Sequence, residues 1–332
     1  MTKLLPTDLT AADIKAKAKE LGADLVGIAD GQIMDDNPPF PDTPRRPSDI
    51  SELDGGRVIV LAKRLSFAVS RLPKWDDQHK YYSDELIVSS IEEMALDLVF
   101  WLEDNGSPGV VIPCQYIDPL RSNQDISSSA KNPLSAVHAA AEAGLGTLGL
   151  NNQLITPEFG PRVILGIVMT SADVKADGKR DKALCLGPEC GRCLQACPAD
   201  AVQHWQRDWP SCDRLRSPFG FAYTSDYLTN VLKEEDQEKQ MGMLRSMESS
   251  EIFQAMLRGT GIVSGCRNCA DVCPVGEDYE KLLKPWVDEI AEATPEKQTR
   301  LDRMTNVESK GEQPSGFVAQ HRWIGNYPKF DK

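Results

Sequence analysis

The sequence predicts an α/β body joined to a smaller domain organised by cysteines. Three observations carry this: apolar helices and strands alternate through the first 180 residues, eight of the nine cysteines crowd between Cys185 and Cys273, and six of those eight form two C-x2-C-x3-C-P turns. The predicted division is residues 1–180 for the α/β body, 181–282 for the cysteine domain, and 283–332 for a polar arm that wraps the body or is partly disordered.

Thr10 is placed to cap a helix over Ala11–Leu21, and Gly22 to stop it. An apolar strand follows at Ala23–Ala29, and Arg57–Leu61 reads as a second buried strand. Over Asp84–Asp104, Ile87, Ile91, Met94, Leu98 and Trp101 recur on one face, the pattern of a long amphipathic helix ended by Gly106. Val110–Pro113 is a short strand, Pro133–Ala143 a helix and Val163–Thr170 a strongly apolar strand. Alternation of this kind predicts a layered α/β architecture. A charged stretch, Lys233–Gln240, separates the two cysteine groups.

The chain carries 37 Lys+Arg against 50 Asp+Glu, a net charge of −13. A field of that sign repels phosphate backbones and disfavours nucleic acid as a partner. No run approaches the roughly 18 apolar residues of a membrane helix. The first residues show neither a basic region with an apolar core nor twin arginines, so a cytoplasmic location is expected. Thiols stay reduced there and serve as metal ligands more often than as disulfides.

The first cysteine group reads CLGPECGRCLQACP, with Cys185, Cys190, Cys193 and Cys197; the second reads CRNCADVCP, with Cys266, Cys269 and Cys273; Cys212 lies between them. A cubane takes four thiolates, and in two-cluster ferredoxins the cysteine of the C-P step ligates the other cluster. On that pattern one [4Fe–4S] cluster takes Cys185, Cys190, Cys193 and Cys273, and the second takes Cys212, Cys266, Cys269 and Cys197. Zinc also accepts four thiolates, but a zinc ribbon does not need paired C-x3-C-P steps. Cys185 enters through an enlarged C-x4-C loop, because Gly187 stands where the usual spacing puts a cysteine. Cys114, after an apolar strand, reads as a small buried hydrophobe.

The stretch AEAGLGTLGLNNQLITPEFGPRVILGIVMT, with AKELGADLVGIAD near the start and the two cysteine motifs, resembles the cobalamin-dependent reductive dehalogenase and epoxyqueuosine reductase superfamily. The resemblance runs with gaps from about Ala16 to Gly276. It implies a nitroreductase-like domain holding base-off cobalamin, beside a ferredoxin-like domain with two [4Fe–4S] clusters that deliver electrons to cobalt. Carried over residue by residue, the corrinoid contacts are Gly144, Leu145, Gly146, Gly149, Leu154, Ile155, Thr156, Pro157, Phe159, Gly160 and Arg162. Glycines there allow close backbone approach to a flat ligand.

The implied activity is reductive removal of a leaving group, such as halide, from a small organic molecule, with electrons from a separate ferredoxin, flavodoxin or reductase. Proton delivery by a tyrosine beside a cation would fall to Tyr82, Tyr116, Arg121 or Lys131, with Tyr81 as a neighbour of Tyr82. Two other readings remain open: a non-catalytic electron-transfer or corrinoid-reactivating protein, and an epoxyqueuosine (tRNA) reductase. Ala130 stands where the epoxyqueuosine reductases carry a catalytic Asp. Dehalogenases typically follow AGLG with Glu and then Gly-Arg, where this chain has Thr147 and then Gly149-Leu150. Asp77-Gln78-His79 begins like a cobalt-ligating D-x-H-x-x-G signature, but Tyr82 replaces its glycine, so His79 reads as a surface residue. His138 reads as packing.

Overall fold

The computed structural model describes residues 9–38, 46–72, 77–114, 134–216, 219–259 and 265–311. Thr10 caps α1 (Ala11–Glu20) by a reciprocal capping box with Asp13. Besides the short helices Gly31–Asp36 and Phe67–Ser70, the described body has α2 (Asp77–Asp104), which starts seven residues before its predicted position, and α3 (Ala136–Glu142), capped by Ser135. The strands are β1 (Leu25–Asp30), β2 (Arg57–Arg64), β3 (Gly109–Ile112), the short pair β4 (Thr147–Leu148) and β5 (Leu154–Ile155), and β6 (Val163–Thr170).

The main sheet has the order β1-β2-β6-β3, with every pairing antiparallel. Its side-chain alternation sorts the β2 and β6 residues into two cores. Val58, Val60, Ala62, Leu165, Ile167 and Met169 pack toward α3; Ile59, Leu61 and Val168 pack toward α1 and α2, against Ile14, Ala18, Ile91, Met94 and Leu98. The body is thus a helix–sheet–helix sandwich. Gly27 is needed where α3 ends over β1, because a Cβ there would lie 2.5 Å from the Ala143 carbonyl oxygen.

The cysteine region is built from one-turn helices and two small cores. One gathers Leu150, Leu194, Ala201, Val202, Trp205, Leu301 and Met304 around cysteines; the other joins Ala196 and Val272 to Tyr279, Leu283, Val287 and Ile290. α4 (Trp209–Arg216) carries Cys212. Between the two motifs α5 (Phe221–Lys233), α6 (Gln237–Leu244) and α7 (Met247–Arg258) form an insert with its own core of Tyr227, Val231 and Ile252. The charged stretch falls at the α5–α6 junction.

The first part of the arm is helical and packs on the cysteine region. α8 (Lys284–Ile290) and α9 (Pro295–Ser309) are helices, and Val287, Ile290, Leu301 and Met304 enter the cysteine cores. Thr294 caps α9 and Pro295 occupies its first turn. No helix among the described residues is long and apolar enough to cross a membrane.

Candidate iron–sulfur centre and its interface with the body

The β4–β5 hairpin projects from the body toward the cysteines. The Leu150 N–H donates to Cys185 Sγ at 3.4 Å, and Asn151 Nδ2 donates to the Cys269 carbonyl at 3.3 Å. Arg207 Nη2 returns the contact by donating to the Asn151 carbonyl at 2.7 Å. The enlarged loop after Cys185 folds back on itself, so that the Gly187 N–H also donates to Cys185 Sγ at 3.4 Å. Gly187 has φ +72°, a conformation a cysteine at that position would adopt only with strain. Cys197 Sγ accepts from the Ala201 N–H at 3.3 Å.

Burial raises the pKa of Cys193 well above the ordinary thiol value, with Cys185, Cys269, Cys273 and Cys190 adding to it through their charge. Burial likewise pushes Cys273 up to about 12, with Cys185 and Cys190 among its neighbours. Cys269 is also pushed up to about 12 by burial, and Cys266, Cys212 and Cys197 are its thiol neighbours. Cys193 and Cys273 thus share surroundings with Cys185 and Cys190, and Cys269 with Cys197, Cys212 and Cys266, while Cys193 also senses Cys269. No trio of His, Cys, Asp or Glu among the described residues converges on one metal-ion position. A cubane makes no such demand, since its thiolates bind separate irons. Cysteine thiolates of this kind are the ligands that iron–sulfur centres take.

The stretch expected to meet a corrinoid is largely occupied by the chain itself. A Cβ on Gly144 would lie 2.4 Å from the Gly178 carbonyl oxygen, and one on Gly146 2.1 Å from that of Ile155. A Cβ on Gly149 would meet the Asn151 side chain at 2.6 Å. Gly160, at φ +57°, closes the Thr156–Gly160 turn under the Val275 carbonyl, 2.0 Å from where its Cβ would be. Leu145, Leu154, Ile155 and Thr156 are buried, whereas Gly144, Pro157 and Phe159 retain surface.

Arg162, fully buried, reaches the second cysteine turn instead of open space. Its guanidinium donates to the carbonyls of Ala270 (3.1 Å), Cys273 (2.9 Å) and Val275 (2.8 Å). Within this stretch Gly144, Pro157 and Phe159 keep partial surface, while the Thr156 hydroxyl and the Arg162 guanidinium are engaged by backbone carbonyls.

Two groups that sequence reasoning missed hold the cysteine turns, Arg267 to the body and Lys297 to α9. Arg267, inside the CRNC turn, donates to Asp271 at 3.1 Å, to Asp84 on α2 at 2.7 Å, to the Ser66 carbonyl at 3.2 Å, and to Ser70 Oγ. Two carboxylates share this one guanidinium, and burial outweighs the ion pair at Asp84, raising its pKa to about 6. An arginine within a cysteine turn is a visible signal; Asp84, at what looked like an ordinary helix start, gave none. Lys297 on α9 donates to the Gln195 and Cys197 carbonyls, each at 2.9 Å.

Of the candidate proton donors, Tyr82 lies on α2 with 49% exposure. Tyr116, Arg121, Lys131 and Ala130 lie outside the described residues. Tyr81 is buried and His79 exposed. His138 is buried 3.5 Å from Glu142, and burial lowers its pKa, in keeping with packing. Cys114 is buried, with its thiol 3.5 Å from the Ile112 carbonyl.

No family model matches the chain. It is 29% identical to an epoxyqueuosine reductase of Gloeobacter violaceus over 223 residues, covering 58% of this chain and 61% of that protein. It is 39% identical over 72 residues to a tetrachloroethene reductive dehalogenase of Desulfitobacterium hafniense, covering 21% of this chain and 13% of the relative. A solved catabolic reductive dehalogenase, in complex with 3-bromo-4-hydroxybenzoic acid, aligns with a TM-score of 0.50 at 17% identity, over 94% of this chain and 37% of that one; this is a likeness of fold. The relatives thus include both reductive dehalogenases and epoxyqueuosine reductases, the superfamily that the motifs resemble. The chain spans between 36% and 61% of the length of the first curated relatives it matches.

Proposed function

We propose that the protein is a reductase in which two [4Fe–4S] clusters pass electrons to a second redox centre on the α/β body. The resemblance names that centre as base-off cobalamin, and the reaction as reductive removal of a leaving group, such as halide, from a small organic substrate. What supports this is the seating of the cysteine turns against the β4–β5 hairpin through Leu150 and Asn151, with members of each proposed thiol set among one another's neighbours. Such a seat makes the clusters a conduit toward the body. When bound, the corrinoid would supply a strongly reducing cobalt nucleophile. Gly144, Pro157 and Phe159 are the members of the expected contact set that leave surface for it. The protein's own part is to bury the clusters and to fix the second cysteine turn through Arg162 and Arg267. Proton delivery is assigned to the Tyr82, Tyr116, Arg121 and Lys131 set. Electrons come from a separate donor such as a ferredoxin, flavodoxin or reductase.

Anaerobic purification with cobalamin tests this by absorbance and EPR, which should show two clusters and a base-off corrinoid. Clusters without corrinoid binding would replace the reading with that of an electron carrier or corrinoid reactivator. Cys185→Ser should damage one cluster and spare the other; two intact clusters would refute the ligand set.

The longer curated matches, to epoxyqueuosine reductases, favour a second reading, reduction of an epoxide on tRNA. The −13 charge and Ala130 weigh against it. Tight tRNA binding in a titration at physiological salt would reverse that order.

A further inference from the structure

α9 lies across the first cysteine turn with an oppositely charged residue near each end. Near its start, Lys297 is buried, with 6% exposure, and its ammonium donates to the carbonyls of Gln195 and Cys197 at 2.9 Å each. It thus caps the one-turn helix Arg192–Gln195 at its C-terminal end, where backbone carbonyls gather negative charge. Near the other end, Glu308 accepts from Trp205 Nε1 at 2.6 Å and lies 2.8 Å from His204 Nε2. Trp205 is fully buried in the core that surrounds the cysteines. The Glu308 carboxylate also comes within 3.5 Å of where a Cβ on Gly187 would stand, and the Gly187 N–H donates to Cys185 Sγ. α9 therefore sets a cation beside Cys197, assigned to one cluster, and an anion beside Cys185, assigned to the other. Leu301 and Met304 hold the helix in place between them.

Resting on the reading that two clusters are bound, we infer that α9 is a positioning element that moves the two cluster potentials in opposite directions. Reducing a [4Fe–4S] cluster from the 2+ to the 1+ state adds one electron and hence one negative charge. A nearby ammonium favours that product and a nearby carboxylate opposes it; Lys297 acts from a side chain only 7% exposed and Glu308 from one 24% exposed. Lys297 raises the potential of the cluster that includes Cys197, and Glu308 lowers that of the cluster that includes Cys185. Arg207 and Arg162, the buried cations of the body-facing side, lie outside α9 and are unchanged by substitutions in it.

The test uses the cluster-loaded full chain, titrated anaerobically with dithionite and followed by EPR at pH 8, above the ordinary imidazole pKa. Glu308→Gln keeps an acceptor for Trp205 and removes the charge; one midpoint should rise and the other stay. Lys297→Met should lower the other midpoint, and Lys297→Arg should restore it. The expected size is about tenfold in the reduction equilibrium, or about 59 mV for one electron. Opposite signs in the two variants separate charge tuning from a general loosening, which would move both midpoints the same way in both variants. If both clusters are present by iron content and neither midpoint moves, or both move together, the inference fails while the cluster reading stands. If the wild-type chain takes up no [4Fe–4S] cluster, the cluster reading itself fails and takes the inference with it.

Discussion

Replacing Arg162 separates two roles for the most conspicuous buried cation of the body. Arg162→Met keeps most of the side-chain volume but removes the donors that serve the Ala270, Cys273 and Val275 carbonyls. Each buried carbonyl left without a donor costs about 1–3 kcal/mol. Three such losses give at most about 9 kcal/mol, and the turn recovers part of this by relaxing. Breaking a buried charged network costs about 3–5 kcal/mol, which sets the expected size. The assay is native-state hydrogen exchange on corrinoid-free, cluster-loaded protein, read on peptides spanning 265–278. A loss of 3 kcal/mol corresponds to roughly 100-fold faster exchange through the open state. Iron release to a chelator should speed up in parallel. Arg162→Lys should fall between the two, since one ammonium cannot reproduce the planar fork. Unchanged exchange in the corrinoid-free protein, with a loss only in corrinoid affinity, would refute this reasoning and restore Arg162 to the cofactor.

Three further outcomes are expected. Asp84 has a folded pKa near 6, raised from 3.8, so its contribution to stability is full below pH 4 and disappears as pH rises through 6. Relative to Asp84→Asn, the wild type should therefore lose about 1.4 kcal/mol between pH 5 and 8 in urea unfolding, and parallel curves would contradict the assignment. Gly191→Ala places a Cβ 2.4 Å from Leu301 Cδ1 at φ +54°, which should cost at least about 1–2 kcal/mol and free α9 to limited proteolysis; an unchanged digestion pattern would count against its docking. Cys114 is pushed up to about 12, by burial and then by the Glu92 carboxylate. Iodoacetamide at pH 8 should therefore leave it unmodified by mass spectrometry until the chain unfolds, and rapid labelling of the native protein would disprove its burial.

Much of the body could be read from periodicity, because its helices and strands each bury one consistent set of side chains. Val163–Thr170 is legible because this central strand is apolar along its length but for its last residue, Thr170. The N-terminal limit of α2 was missed because Asp77–Ser83 is polar, and tertiary packing extends the helix. The antiparallel order of the sheet escaped the helix–strand alternation, which fits parallel and antiparallel sheets alike. The two cysteine turns are legible because their spacing is written along the chain. Arg162 was found for its motif, yet its partners lie more than a hundred residues away, a separation no local pattern encodes. α9 looked like a polar tail because Leu301 and Met304 are its chief apolar contacts in a helix otherwise rich in charge.

The interleaving of the two thiol groups has a consequence for biogenesis. Cys185, Cys190 and Cys193 leave the ribosome long before Cys273, while Cys197 must await Cys266 and Cys269. Neither set can be completed by the nascent first turn, and the covering helix arrives later still. On the proposed ligand sets, metal insertion waits until Cys273 has been made. A truncation before Cys266 would yield a stranded half-site of exposed thiols, a species for quality control to remove.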